Sequence, residues 1–375
     1  MANSSDASPR ARAEKFAARL GIRLPILLAP MSGACPPSLS IAVADAGGLG
    51  ACGALLMQPN EIASWCAEFR AGSRVSGLDD SNPDKKKSAF QLNLWIPDPP
   101  PTRDSALEKR QRDFLAQWGP AIAAEAGTPS LPDFQAQCQA LLDAKPKVIS
   151  SIMGLYPAAF VSQMKSRGIL WFANATTVAE ARAAEAAGAD AIVAQGMEAG
   201  GHRGAFDSAD AERHLIGLIS LLPQIVDAVR LPVIAAGGIA DARAIAAALV
   251  LGASAVSIGT GFLRTPEAKI HPLYADRLAR TEAHETAITR HYSGRPGRGV
   301  ANDYIRAAHA SGAPPAAPYP VQRALTRAMR EAALGSGAAD RMQMWAGQSA
   351  KLAQAIPAGE LTERLWSTAL ALLSS

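Results

Sequence analysis

The chain has 375 residues, of which 49% are hydrophobic, 19% charged and 5% aromatic, with a formal net charge of +4. So much apolar content excludes a disordered chain, and the glycines follow no collagen-like period. The small basic excess and few aromatics argue against a nucleic-acid partner; the length suits two average domains or one large barrel with an appendage.

Residues 1–20 are polar and charged, lack the apolar core of a secretory signal, and are expected to form a polar N-terminal tail. Cys35, Cys52, Cys66 and Cys138 show no CxxC or metal-finger spacing and read as reduced, buried thiols of a cytoplasmic protein. No apolar stretch suffices for a membrane span; residues 244–258, among the longest, are too few and include a glycine.

From about residue 24, short apolar runs alternate with alanine-rich helical stretches. The runs are 25–29, 49–53, 90–94, 148–152, 169–173, 190–194, 232–236 and 254–258. They do not alternate apolar with polar, which marks strands buried on both faces. Helices are expected at 37–46, 60–70, 177–187 and 240–251; Thr177 and Glu180 have capping-box spacing and Gly188 ends the third. Residues 179–192 and 240–256 echo one another as helix-then-strand units. Eight strands, each followed by a helix, predict an α/β fold of the (β/α)8 TIM-barrel type. The polar stretches 71–88 and 98–131 read as loop insertions above the barrel mouth, and Lys85, Lys86 and Lys87 as a solvated loop. After residue 264 the composition turns richer in Pro, Tyr, Arg and His. A small, mostly helical insertion domain is expected at 265–337, with 340–356 as an amphipathic helix closing the ring. The barrel then comprises 21–264 and 338–375.

Three segments carry chemistry. Strand seven runs into Gly237 and Gly238, and strand eight ends in Ser257-Ile258-Gly259-Thr260-Gly261. Loops at these places commonly hold a phosphate, because glycines admit close backbone approach and helix N-termini point N–H groups at an anion. After strand six, residues 195–204 contain four glycines and His202, whose ordinary pKa of about 6.5 suits proton transfer. Position singles out His202; the other five histidines read as structural or solvated. Glu198 and Arg203 are expected to pair or to orient the loop. Early in the chain, Ala29-Pro30-Met31 follows strand one and could press on a flat ring. Asn93 is a polar group in a buried run, which needs a partner. No Walker loop, HExxH, GxSxG, metal cluster or Rossmann fingerprint is present.

Together these segments resemble the nitronate monooxygenases, formerly 2-nitropropane dioxygenases. The likeness rests on Ala29-Pro30-Met31, Ala46-Gly47-Gly48-Leu49-Gly50, Asn93-Leu94-Trp95, and Glu198-Ala199-Gly200-Gly201-His202-Arg203-Gly204. It continues through Gly237-Gly238-Ile239, Ile258-Gly259-Thr260, Ser293-Gly294-Arg295-Pro296, Pro318-Tyr319-Pro320 and Trp345-Ala346-Gly347-Gln348-Ser349. The resemblance implies FMN held non-covalently at the barrel mouth. It implies that Gly237, Gly238, Gly259 and Thr260 cradle the phosphate, with Ser257 and Ile258 in the same segment. It places Asn93, Gln195 and Gly200 against the flavin or ribityl chain, Ala29, Pro30 and Met31 near the ring, and His202 as catalytic base. Tyr304, Tyr319 and Ser349 fall around the pocket without assigned roles. The implied reaction oxidises alkyl nitronates, with neutral nitroalkanes as a further class, using O2 to give a carbonyl compound and nitrite. The implied state is a monomer or homodimer, with neither a nucleic-acid nor a membrane partner. Cys35-Pro36-Pro37 departs from the usual Thr-Pro, and the 98–131 insertion is long; both bear on the substrate pocket. The alternatives are a flavin-dependent enoyl-acyl-carrier-protein reductase or an NAD(P)H:quinone reductase on the same barrel, and a flavin-free phosphate-binding barrel.

Overall fold

A computed structural model describes residues 8–74, 89–128 and 131–374; the three lysines at 85–87 and most of 71–88 lie outside them. Eight parallel strands form one sheet: β1 (Ile26–Leu28), β2 (Gly50–Gly53), β3 (Phe90–Trp95), β4 (Val148–Ile152), β5 (Leu170–Ala175), β6 (Ala191–Gln195), β8 (Val233–Ala236) and β9 (Ala255–Ile258). Their hydrogen-bonded order is β1-β9-β8-β6-β5-β4-β3-β2. The ring closes where Leu49 N donates to Ile26 O at 3.0 Å and Leu28 N to Leu49 O at 2.9 Å. Each expected run is a strand, and nearly every strand residue is buried, as burial on both faces requires.

A helix follows every strand: Pro37–Asp45, Pro59–Gly72, Phe134–Asp143, Ala158–Ser166, Val178–Ala186, Leu218–Ala228, Ala242–Val250 and finally Ala358–Ser374. Thr177 caps its helix through Oγ1, which accepts Glu180 N at 3.2 Å. The closing helix is Ala358–Ser374, packed between the first and seventh helices, rather than the expected 340–356. Residues 341–346 instead bury every second side chain (Met342, Met344, Ala346), the period of an extended strap.

The expected N-terminal tail is partly a helix, Pro9–Leu20, which buries Ala13, Phe16, Ala17 and Leu20. It lies across the N-terminal end of the barrel. Phe16 meets Phe172 of β5 with ring centroids 6.0 Å apart, and Arg12 donates to Leu249 O and Ala253 O. Its apolar stripe was hidden by the charged residues interleaved with it.

The C-terminal unit is not purely helical. It contains helices Pro272–Arg280, Asp303–Ala308, Val321–Leu325 and Arg327–Ser336, but also antiparallel β10 (Thr286–Thr289) and β11 (Gly297–Val300). β11 pairs in turn with β7 (Gly201–His202), the loop beyond β6, making a three-stranded sheet over the barrel mouth. The sequence Gly-Arg-Gly-Val has little β-propensity, so tertiary pairing makes this strand. Helix Ser105–Leu115, within the expected 98–131 loop, belongs to the same unit: Leu115 shares a core with Tyr292, Tyr304, Leu325 and Met329. Among the described residues no helix is long and apolar enough to cross a membrane, and no His/Cys/Asp/Glu group could hold a metal.

Candidate active site

The C-terminal ends of β8 and β9 build an anion cradle. Gly237 and Gly238 adopt φ of +105° and +69°, in the region that penalises any Cβ. A Cβ on Gly237 would also stand 3.0 Å from Ala199 N. No described group accepts from the backbone N–H of Gly238, Gly259 or Thr260. The helix beyond is not available to an anion: Asp241 caps it, accepting Ala244 N at 3.1 Å. Loop backbone rather than a helix N-terminus therefore presents the donors. The strap fixes both loops, since Ser349 Oγ donates to Gly238 O at 2.6 Å and Gly347 N to Thr260 Oγ1 at 3.0 Å.

The loop after β6 is held from several sides. Gln195 uses its whole amide on it: Nε2 donates to His202 O at 3.0 Å and Oε1 accepts Gly204 N at 2.8 Å. Glu198 and Arg203 form no ion pair with each other. Glu198 accepts Leu218 N, and Arg203 Nη1 donates to Gly196 O at 2.8 Å, so each orients the loop. From β11, Arg298 Nε donates to Met197 O at 2.9 Å. Gly200 is required by close approach: a Cβ there would drive into the backbone of Ala346 and Gly347.

His202 sits between two indoles. Trp95 and Trp345 meet its ring edge-on, with centroids 4.6 and 4.8 Å away. Its Nε2 is 2.7 Å from Ser293 Oγ. Burial first, then the charges of Arg323 and Arg295, pulls the His202 pKa down to about 3. The imidazole is therefore neutral at ordinary pH, as a proton acceptor must be.

These parts surround one cavity of about 590 Å³. Ala29, Pro30, Met31, Asn93, Gln195, Gly200, His202, Gly237, Gly238, Ser257, Gly259 and Thr260 all line it. Ile258 does not: it is buried in the hydrophobic core, and its carbonyl accepts Ala29 N at 2.9 Å. Cys35 holds the first loop in place, its Sγ 3.3 Å from both Ala29 O and Met31 N. Asn93 Nδ2 donates to Ser150 Oγ at 3.0 Å. Tyr319 and Ser349 line the cavity, whereas Tyr304 lies in the core of the C-terminal unit and donates to His291 O.

Sequence reasoning missed several groups. Asn174, at the end of β5, lines the cavity with its buried Nδ2 unpartnered. Tyr319 Oη is likewise buried without a partner, and burial raises its pKa to about 12. Arg323 presents a largely buried guanidinium that makes no hydrogen bond or ion pair among the described residues. Lys269, His271 and Arg330 also face the cavity, and among the described residues no carboxylate does. Trp95, Ser293 and Trp345 lay inside quoted motifs but carried no individual signal. Asn174 carried the signal that picked out Asn93, a polar residue ending a buried run.

A closed parallel barrel, with a rim cavity that joins an anion cradle to a desolvated histidine, defines a (β/α)8-barrel enzyme. The profile of the nitronate monooxygenase family matches residues 14–368, and the chain belongs to that family, making it an oxidoreductase. The nitronate monooxygenase of Pseudomonas aeruginosa is 39% identical, over 94% of this chain and 98% of that protein. Among solved structures, a nitroalkane oxidase from Streptomyces ansochromogenes superposes with a TM-score of 0.82 at 35% identity, covering 96% of this chain and 99% of that one. FabK from Thermotoga maritima gives 0.72 at 25% identity, covering 96% and 97%.

Proposed function

We propose that the chain is an FMN-dependent nitronate monooxygenase that oxidises alkyl nitronates, and neutral nitroalkanes after deprotonation, with O2 to carbonyl compounds and nitrite. The observation that carries this reading is a neutral histidine, flanked by Trp95 and Trp345, in a cavity whose described walls carry cations and no carboxylate. The site fits FMN: the free N–H groups of Gly238, Gly259 and Thr260 would hold its phosphate, and the unpartnered Asn174 Nδ2 and the Asn93 amide would meet its polar edge. When bound, the flavin supplies the redox chemistry between nitronate and O2.

The chain's own residues bind and deprotonate. His202 accepts the α-proton of a neutral nitroalkane, and the C–H electron pair passes into the nitro group. The resulting imidazolium faces the nitronate charge. Arg323 and the Tyr319 hydroxyl, neither hydrogen-bonded among the described residues, supply cationic and neutral donors to an anionic substrate. The indoles of Trp95 and Trp345 keep water from the imidazole and limit the width of the pocket.

Two measurements test this. Purified protein should be yellow with the absorption of oxidised FMN; a colourless protein that takes up no FMN excludes every flavin reading. In anaerobic stopped flow, ethylnitronate or propionate 3-nitronate should reduce the flavin rapidly. Rapid bleaching by NADH with no response to nitronate would instead mark a hydride-transfer reductase.

A further inference from the structure

Ser293 lies 91 residues beyond His202 in the chain, yet its Oγ is 2.7 Å from the imidazole Nε2. It is 1% exposed. A serine hydroxyl has one hydrogen and two lone pairs, so its other contacts decide what it offers the ring. Within its own turn, Oγ donates to Arg295 O at 3.1 Å and accepts Arg295 N at 3.3 Å. That turn is pinned: Arg295 Nε and Nη2 hold the Asp98 carboxylate at 2.7 and 2.5 Å, and Nη1 donates to Ala205 O at 3.2 Å. With the hydroxyl hydrogen committed to Arg295 O, a lone pair faces Nε2. On the other side of the ring, Nδ1 has no hydrogen-bond partner among the described residues, and His202 lines the cavity.

We propose that Ser293 is a positioning residue that holds His202 as the Nε2–H tautomer, so that Nδ1 presents a bare lone pair to the substrate. This rests on the reading of His202 as the base. The α-proton then passes to Nδ1 and the C–H electron pair stays with the nitronate. Nε2 keeps its hydrogen on Ser293 throughout, so no tautomer exchange precedes the transfer. Trp95 and Trp345 pack against the ring and resist the flip that would interchange the two nitrogens.

The test is long-range ¹⁵N–¹H NMR of holoenzyme labelled at histidine nitrogen, with the His202 signals identified by their loss in His202→Asn. The expected spectrum has a protonated Nε2 and a bare Nδ1; a protonated Nδ1 overturns the proposal on the unmutated protein alone. Ser293→Ala should mix the tautomers and lower kcat on neutral nitroethane roughly 10- to 100-fold, while preformed ethylnitronate changes only a few-fold. Ser293→Thr, which keeps the hydroxyl, should restore both. Should Ser293→Ala not fold, Ser293→Cys, with a weakly accepting sulfur, replaces it. An unchanged tautomer, or equal losses on both substrates, overturns the proposal. Failure of the nitronate reading itself shows separately, as a wild-type enzyme without nitronate turnover whatever its tautomer.

Discussion

A single desolvated imidazole sets the expected pH behaviour. A free histidine is half protonated near 6.5, whereas His202 takes a proton only near 3. As a base it must be neutral, so kcat/KM for neutral nitroalkanes should hold as pH falls through 6.5 and decline only well below it. An acid limb centred near 6.5 would show that the ring is not desolvated in solution. The same shift acts on stability. Between about 3 and 6.5 the unfolded chain binds a proton that the folded chain refuses, so stability declines as pH drops across that window. Replacing the base separates the two substrate classes. His202→Asn should abolish turnover of neutral nitroalkanes, a loss of roughly 10²- to 10⁴-fold, and spare much of the reaction with preformed nitronate. Equal loss on both would remove His202 from the role of base. Position along the barrel rim made His202 legible in the sequence. Arg323 was not legible, because an arginine in a short helix of an arginine-rich segment looks solvated until the fold places it on the cavity wall with no ion pair among the described residues.

Between elements, the decisive contact joins the loop after β6 to the strap at 345–349. Gly200 allows that approach, and the strap in turn clamps Gly238 and Thr260. Gly200→Ala should therefore loosen the cavity by pushing the loop and the strap apart. Overpacking of this kind costs about 1–3 kcal/mol. The dissociation constant for FMN, read from flavin fluorescence on dilution, should rise about tenfold or more; an unchanged value would show that the loop accommodates a methyl group. The eight barrel strands were readable because burial on both faces leaves continuous apolar runs. β7 and β11 were not, since Gly201–His202 and Gly297–Val300 become strands only by pairing with each other and with β10. The strap was mistaken for a helix because its apolar residues recur closely. Met342, Met344 and Ala346 in fact alternate with Gln343 and Trp345, and period two belongs to extended chain.

Across the whole molecule, stability and chemistry sit at opposite ends of the barrel. The helix Pro9–Leu20 closes the N-terminal end with Phe16 against Phe172, far from the rim cavity. Phe16→Ala should cost about 3–5 kcal/mol, seen as a lower urea midpoint, with KM and kcat unchanged at low temperature. A change in KM would mean that the two ends are coupled. The N-terminal sequence hid this helix because Arg10, Arg12, Glu14 and Lys15 surround its apolar residues, and only the finished barrel supplies the surface that they cover. The three-stranded sheet over the mouth has a consequence for the order in which the protein is made. His202 and Gly201 become ordered against β11, and Ser293 reaches the imidazole from 91 residues downstream. A ribosome that has produced all eight strands has still not produced an active centre. The histidine, its indole neighbour Trp345 and the clamp on the glycine loops come together only when residues 345–349 emerge. The closing helix Ala358–Ser374 follows them in the chain, so completion of the barrel and readiness for chemistry both wait on residues far downstream of the eighth strand.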